Sequence, residues 1–456
     1  MKKTKIICTI GPASEQKEQI ASLVKEGMNV MRMNFSHGDY EEQGFRIRNV
    51  RSLNEENNWH IGICLDTKGP EIRTGYLEND VPVMLEKGNL IRITMDYSFK
   101  GNQDKIAISY PGLFDDMGIG GVILCEDGNI SLTVVDKDYE NKELVCRINN
   151  TRKLGNKRNV DVPGEVLNMP FISKKDYDDI CFACDQDIDF ISASFVRRKE
   201  DIYEIRKILK EKNNTRIKLI SKIENQEGVD NMDEIIDLSD GVMVARGDLG
   251  VNVELWDLPQ IQKEIIRKAN LKGKITVVAT QMLDSMTYNP RPTRAEVTDV
   301  HNAVLDGADV TMLSGETAQG YYPDRAVFYM AKIEEVAEDY FDYMKFIKAR
   351  RAEAGKQKYA NLCYQICEIA LDPDVCLIMA EGDFEFANML SSFKPFVECF
   401  IKTTFSDSKL MSILYGIRPY YIDEEVKLEK VKDEYNLISG QKILIVKGNH
   451  IDKITL

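Results

Sequence analysis

The stretch from residue 257 to 280, DLPQIQKEIIRKANLKGKITVVAT, carries two periodicities in succession. Leu258, Ile261, Ile265, Ile266 and Ala269 recur at helical spacing, with Asp257 placed to cap the start and Gly273 to stop the end. The run ITVVAT that follows is apolar and β-branched, as a strand buried on both faces requires. A helix leading straight into a fully buried strand is the unit of a parallel α/β fold. Further strand-like runs stand at TKIICTI, NVMRMNF, IGICLDT, FISASF, IKLISKI, GVMVA and VTMLSG, with amphipathic stretches between them. Eight such β/α units predict a closed (β/α)8 TIM barrel.

Between the third and fourth runs the helical period disappears for roughly a hundred residues. Short alternating runs (NLIRITM, KIAISY, ISLTVV, ELVCRIN) and turn pairs such as Asp127-Gly128 and Glu140-Asn141 predict an inserted all-β unit without an amphipathic helix. After the barrel, AVFYMAKIEEVAEDYFDYM reads as helix, and the basic run KFIKARRAEAGKQK as a boundary. The tail alternates again, with strands at VCLIMA, VECFIK, YYID and KILIVKG. The expected division is barrel over 1–70 and 172–340, β insert over 71–171, and a C-terminal α/β unit over 341–456.

A net charge of −14 argues against a nucleic-acid surface, and no apolar run approaches bilayer length. The opening MKKTKIICTIGPAS reads as strand and turn rather than a secretory signal, so a cytoplasmic location is expected. Ten cysteines in a chain this long make no disulfide framework; Cys181 and Cys184, lacking a second matching pair, read as buried thiols.

Polar residues collect where the predicted strands end, which in such barrels is the active-site face. Arg32, Asn34, Ser36 and His37 follow the second strand, and Asp66, Thr67 and Lys68 the third. Lys222 and Glu224 follow the fifth, Arg246 and Asp248 the sixth, Thr280 and Gln281 the seventh, and Ser314, Glu316 and Thr317 the eighth. Lys222 and Glu224 stand two apart and so share a strand face. An isolated pair of this kind is ordinarily an exposed salt bridge of little worth. In this company it reads differently. Glu224 and Asp248 can hold a hard divalent ion, Mg²⁺ or Mn²⁺, with positions left open beside a phosphate. Arg32 and Lys222 supply positive charge for a phosphoryl group. Asn34, Ser36, Asp66 and Thr67 offer one carboxylate among neutral oxygens, a field suited to a monovalent cation. Gly247 lets backbone approach a bound group, and the amides after it can receive a carboxylate or phosphate.

MRMNFSHG (31–38), LDTKGPEIRTG (65–75), SKIENQEG (221–228), VMVARGDLG (242–250), ATQMLDSM (279–286) and NPRPTRAEVTDVHNAVLDGADVTMLSGETAQG (289–320) together resemble pyruvate kinase. The resemblance implies the barrel, a small β-barrel lid, a C-terminal α/β domain and a homotetramer. It implies transfer of the phosphoryl group of phosphoenolpyruvate to ADP, giving pyruvate and ATP. By the same resemblance Lys222 steadies the phosphoryl group and the enolate, Arg32 holds the phosphate, and Glu224 and Asp248 bind Mg²⁺. Gly247 and Asp248 face the substrate carboxylate, and Thr280 takes part in protonating enolpyruvate. Asn34, Ser36, Asp66 and Thr67 match the K⁺ site, and Glu71 marks the K⁺-requiring type. Arg73 and Lys157, with Asn34 and His37, match the nucleotide contacts. Two features depart. In LGNKRNVDVPG, Asn159 and Asp161 replace the family's Gly and Asn. In MAEGDFEFANML, Glu381, Asp383 and Glu385 stand where sugar-phosphate-activated members carry hydroxyls, so activation by fructose 1,6-bisphosphate is expected to be weak or absent. Two other readings stay open on the sequence: a catalytically silent relative serving as regulator or scaffold, and a metal-dependent 2-oxo-acid aldolase.

Overall fold

The computed structural model describes residues 2–420 and 437–456. Eight parallel strands close into a barrel: Lys5–Thr9, Val30–Asn34, Gly62–Asp66, Phe190–Ala193, Lys218–Ile223, Gly241–Ala245, Ile275–Ala279 and Val310–Leu313. Each is bonded to its sequence neighbour, and the first pairs with the eighth. All eight predicted runs are these strands. They were legible because each is covered on both faces, by helices outside and by barrel filling inside. Gly273 ends helix Leu258–Lys272 at φ 72°, with its N–H on the carbonyls of Ala269 and Asn270. Asp257 opens that helix but does not cap it through its side chain. Its own backbone is already helical, and Pro259 in the first turn starts the helix without side-chain help.

The side chains filling the barrel form one core with the C-terminal unit. Ile7, Val30, Phe190, Ile220, Met243 and Val310 pack in the same cluster as Tyr343, Phe393 and Tyr415. That unit therefore stops one mouth of the barrel and leaves the strands' C-terminal ends open. Among the described residues its sheet has five strands, with Val375–Glu381 at the centre. Ile417–Tyr420 forms one edge, and the rest of the run expected at 420–423 lies outside the described residues. The other edge, His450–Thr455, pairs antiparallel with Lys442–Lys447 and was not anticipated. It is mostly exposed and polar, so it lacks the apolar signature of a strand.

The basic run at 345–358, expected as a boundary, is mostly helical. It lies largely in helix Tyr343–Ala354, set off from helix Pro323–Glu338 by a short break, and Arg350 is buried. The Arg350 guanidinium donates to the Leu271 carbonyl (3.0 Å), Ser392 Oγ (3.1 Å) and Gln357 Oε1 (3.2 Å), tying a barrel helix to the C-terminal unit. Cys181 and Cys184 are only half-buried, on the outer helix Lys174–Asp185. No helix among the described residues is long and apolar enough to cross a membrane.

The insert has its own core, built from residues such as Ile93, Ile123, Leu132 and Val160. Seven of its nine strands form one sheet that curls until the two edges meet at an antiparallel bridge between Thr74 and Ile108, as a small β-barrel requires, and Val83–Leu85 pairs with Arg152–Leu154 in a separate ribbon. One four-residue helix, Leu113–Asp116, interrupts the otherwise all-β pattern.

Candidate active site

Barrel closure brings Arg32, Asp66, Lys222 and Glu224 into one buried network. Asp66 is its hub. The Arg32 Nε donates to Asp66 Oδ2 at 2.7 Å, while Lys222 Nζ reaches Asp66 Oδ1 at 3.2 Å and Ser194 Oγ at 2.8 Å. Arg32 also donates to Thr9 Oγ1 at 2.8 Å. Burial alone would raise the Asp66 carboxyl, but the Arg32 and Lys222 charges outweigh it and hold it below the usual range. Burial would likewise lower the Lys222 ammonium, yet Asp66 and Glu224 leave it raised. Lys222 thus stays charged without solvent.

The ammonium lies 2.9 Å from Glu224 Oε1, so the pair two apart does share a face, and the reading as an exposed salt bridge is overturned by burial. Glu224 Oε2 accepts the Phe195 N–H at 2.6 Å. Among the described residues its Oε1 meets only the Lys222 ammonium, as an ion pair. Burial, with the Asp248 charge adding to it, pushes the Glu224 carboxyl up to about 8 despite Lys222. A buried carboxylate oxygen held by one ion pair, beside a second carboxylate, is a donor set a divalent cation can use, and such an ion would return Glu224 to its ionised form. Glu224 and Asp248 fit the expected metal. Asp248 sits half-buried in the first turn of helix Arg246–Asn252.

Thr280 and Gln281, after the seventh strand, adopt left-handed backbone at φ 66° and 54°. A β-branched residue there is strained and must be held by its neighbours. The Thr280 hydroxyl donates to the Ala279 carbonyl (2.6 Å) and accepts the Gly247 N–H (2.7 Å). The Gly247 amide is therefore occupied by Thr280 here rather than free for a ligand. A Cβ at Gly247 would lie an ordinary 3.5 Å from Thr280, so the glycine leaves room without being demanded by packing.

Asn34 and Asp66 stand opposite each other in the sheet register. Asn34 Oδ1 accepts the Ser36 N–H at 3.0 Å, and Ser194 bridges to Thr67 through both backbone and hydroxyl. The four expected K⁺ residues are thus contiguous, although both Asp66 oxygens already serve the cationic pair. His37 is exposed just beyond them. On the insert, Arg73 Nη2 pairs with Glu71 at 2.6 Å and Nη1 donates to the Lys157 carbonyl at 2.9 Å; Lys157 Nζ lies 4.2 Å from the Tyr76 ring centre. Arg73 and Lys157 are together, but Arg73 is engaged internally.

Of the two departing residues, Asp161 joins insert to barrel, and Asn159 supports it from within the insert. Asn159 donates to Asp161 (3.3 Å), and Asn252 donates both to Asp161 Oδ1 (3.0 Å) and to the Asp248 carbonyl (3.0 Å). Burial, with the nearby charges of Asp248, Asp127 and Glu71, pushes Asp161 up to about 7 against the Asn252 hydrogen bond. A cleft of about 320 Å³ opens between the two parts, lined by Glu71, Asp161, Phe195, Asp248 and Asn252 among others.

The eighth-strand set does not join the network. Buried Glu316 accepts the N–H groups of Leu283 and Ser314, and Thr317 donates to the Thr9 carbonyl, stitching loops together. Ser194, Phe195, Thr9 and Asn252 were not foreseen. Ser192 and Ser194, two apart in an otherwise apolar run, were the available hint of polar groups on one strand face.

A family model described as the barrel domain of pyruvate kinase matches residues 1–327. The chain is 46% identical over 420 residues to a pyruvate kinase of Bacillus licheniformis, covering 91% of this chain and 71% of that one. It is 43% identical over 465 residues to one of Dictyostelium discoideum, covering 98% and 91%. A crystal structure of a pyruvate kinase from Cryptosporidium parvum superposes with a TM-score of 0.92 at 38% identity, over 100% of this chain and 96% of that one. With a family match over the whole barrel and relatives alike across nearly the full length, the chain belongs to the pyruvate kinase family.

Proposed function

We propose that the chain transfers the phosphoryl group of phosphoenolpyruvate to ADP and then protonates the enolate to pyruvate. The observation that supports this most directly is Lys222, buried yet kept charged by Asp66 and Glu224 at the open mouth of the barrel. Phosphoenolpyruvate is a strong donor because the released enol collapses to a ketone. The protein has to align donor and acceptor and neutralise developing charge. Lys222 and Arg32 face the transferring phosphoryl group. Mg²⁺ or Mn²⁺ held by Glu224 and Asp248 would supply the remaining charge neutralisation. Without it, the charges of Arg32 and Lys222 are offset by the carboxylates around them, leaving no positive excess for a phosphate. K⁺ at Asn34, Ser36, Asp66 and Thr67 would add one further charge. The insert over 71–171 acts as a lid, with Arg73, Lys157, Asn34 and His37 on the nucleotide side, and Thr280 serves the proton transfer. A homotetramer in the cytoplasm accompanies this reading.

A coupled assay of pyruvate formed from phosphoenolpyruvate and ADP tests it. Turnover is expected with Mg²⁺ and K⁺ present, none when Mg²⁺ is chelated, and a severalfold loss when Na⁺ replaces K⁺. No turnover from freshly purified, folded protein would leave a silent scaffold. Release of pyruvate by cleavage of a 2-oxo acid, without ADP, would make it an aldolase.

Saturating fructose 1,6-bisphosphate is expected to leave the half-saturating phosphoenolpyruvate concentration unchanged within about twofold, since carboxylates repel a phosphorylated effector. Of the three expected carboxylates, Asp383 is committed to capping helix Phe384–Ser392 and Glu385 pairs with Lys358, while Glu381 stands exposed. A severalfold drop on adding effector would defeat this expectation.

A further inference from the structure

Thr280 occupies a strained backbone, and the residue gripping it lies on the neighbouring strand's end. Arg246 Nε donates to the Ala279 carbonyl at 3.2 Å and Nη2 to the Thr280 carbonyl at 2.7 Å. Nη1 pairs with Asp299 at 2.7 Å, from helix Arg294–Leu305. Nη2 also lies 2.8 Å from Met282 Sδ. The next residue, Gly247, donates its N–H to the Thr280 hydroxyl. One dipeptide therefore holds both the carbonyls and the hydroxyl of the left-handed turn, and a third element anchors the guanidinium. Only a planar fork makes these directed bonds at once; an ammonium does not.

We propose that Arg246, anchored by Asp299, is a positioning residue that fixes the Thr280 hydroxyl for protonation of the enolate. This rests on the reading that Thr280 serves that proton transfer. In the step, a C–H bond forms at carbon 3 of enolpyruvate, the enolate oxygen becomes the ketone carbonyl, and solvent replaces the proton delivered by way of Thr280. Arg246 touches none of the reacting atoms. Displacing a positioned group by about an ångström is enough to lose up to roughly a hundredfold in rate.

The test uses the full chain with Mg²⁺ and K⁺, and two readouts: steady-state kinetics, and exchange of the pyruvate methyl hydrogens into D₂O followed by NMR. Arg246→Lys is expected to lower kcat and methyl exchange together by about tenfold or more. The KM for phosphoenolpyruvate and the Mn²⁺ affinity should stay within about twofold, because Arg32, Lys222, Glu224 and Asp248 are untouched. In a Thr280→Ala background the same change should add little, since two residues acting through one hydroxyl are not additive. Asp299→Asn, isosteric and less disruptive, should lose exchange in the same direction and decides the matter if Arg246→Lys does not fold. Methyl exchange unchanged in folded Arg246→Lys, or additive losses with Thr280→Ala, would overturn the proposal. Weakened Mn²⁺ binding in step with kcat would overturn it too, placing Arg246 in support of Asp248 instead. Full exchange in Thr280→Ala alone would instead remove the underlying reading of Thr280.

Discussion

Lys222→Met is expected to lower turnover by about a thousandfold or more while divalent-metal binding persists. Methionine fills much of the lysine's volume, so the loss is mainly one of charge. Lys222 is the positive group that barrel closure places between Asp66 and Glu224, 3.2 and 2.9 Å away. Its removal takes away neutralisation of the transferring phosphoryl group and of the enolate, where charge develops. Glu224 keeps its bond from the Phe195 amide and Asp248 its place in the helix, so the metal ligands remain. Steady-state turnover, Mn²⁺ titration and a thermal unfolding scan should be made on the same preparation. A folded variant that binds Mn²⁺ and turns over within tenfold of the parent would remove Lys222 from the chemistry.

Lys394→Met is expected to destabilise the protein by about 3–5 kcal/mol, the scale for stranding one member of a buried ion pair. Lys394 Nζ bonds Asp309 Oδ1 at 2.6 Å between the C-terminal unit and the stopped end of the barrel, and both residues are buried. Burial lowers the Lys394 ammonium, and Asp309 opposes this. The ammonium also stands 4.3 Å from the Tyr415 ring centre. Without lysine, Asp309 keeps only its bonds from the Thr276 N–H and hydroxyl, both at 2.8 Å, and a charge with no counterion. Urea unfolding monitored by tryptophan-independent circular dichroism measures the cost. Pairing the change with Asp309→Asn should restore part of it, because the stranded charge goes too. An unchanged midpoint for Lys394→Met would show that the pair contributes nothing net.

The barrel strands were readable because burial on both faces writes itself as unbroken apolar runs, and the insert because one-sided burial writes itself as alternation. The same logic explains what escaped notice. His450–Thr455 is an exposed edge strand with few apolar residues, and Arg350 hides a buried anchoring role inside a run that composition marks as solvated. In the site, Arg32, Asp66, Lys222 and Glu224 stood out because charges at the ends of apolar strands are costly unless used. Ser194, Asn252 and the Phe195 amide gave no such signal, since small polar side chains and backbone groups occur everywhere in loops.

From the order of its residues alone, this chain determined which segments become strands and helices and which charged side chains end up at one mouth of a barrel. Tertiary closure decided the pairings, since Asp66 meets Lys222 across 156 positions only when the third and fifth strands take their places around the ring. It also decided that Glu316 and Thr317 bind loops rather than face the mouth, and that Thr280 turns into left-handed backbone under the grip of Arg246 and Gly247. The physical reason is common to all three. Apolar periodicity is a local property of the chain, whereas the direction of a polar side chain depends on which neighbours the closed sheet places within hydrogen-bonding reach.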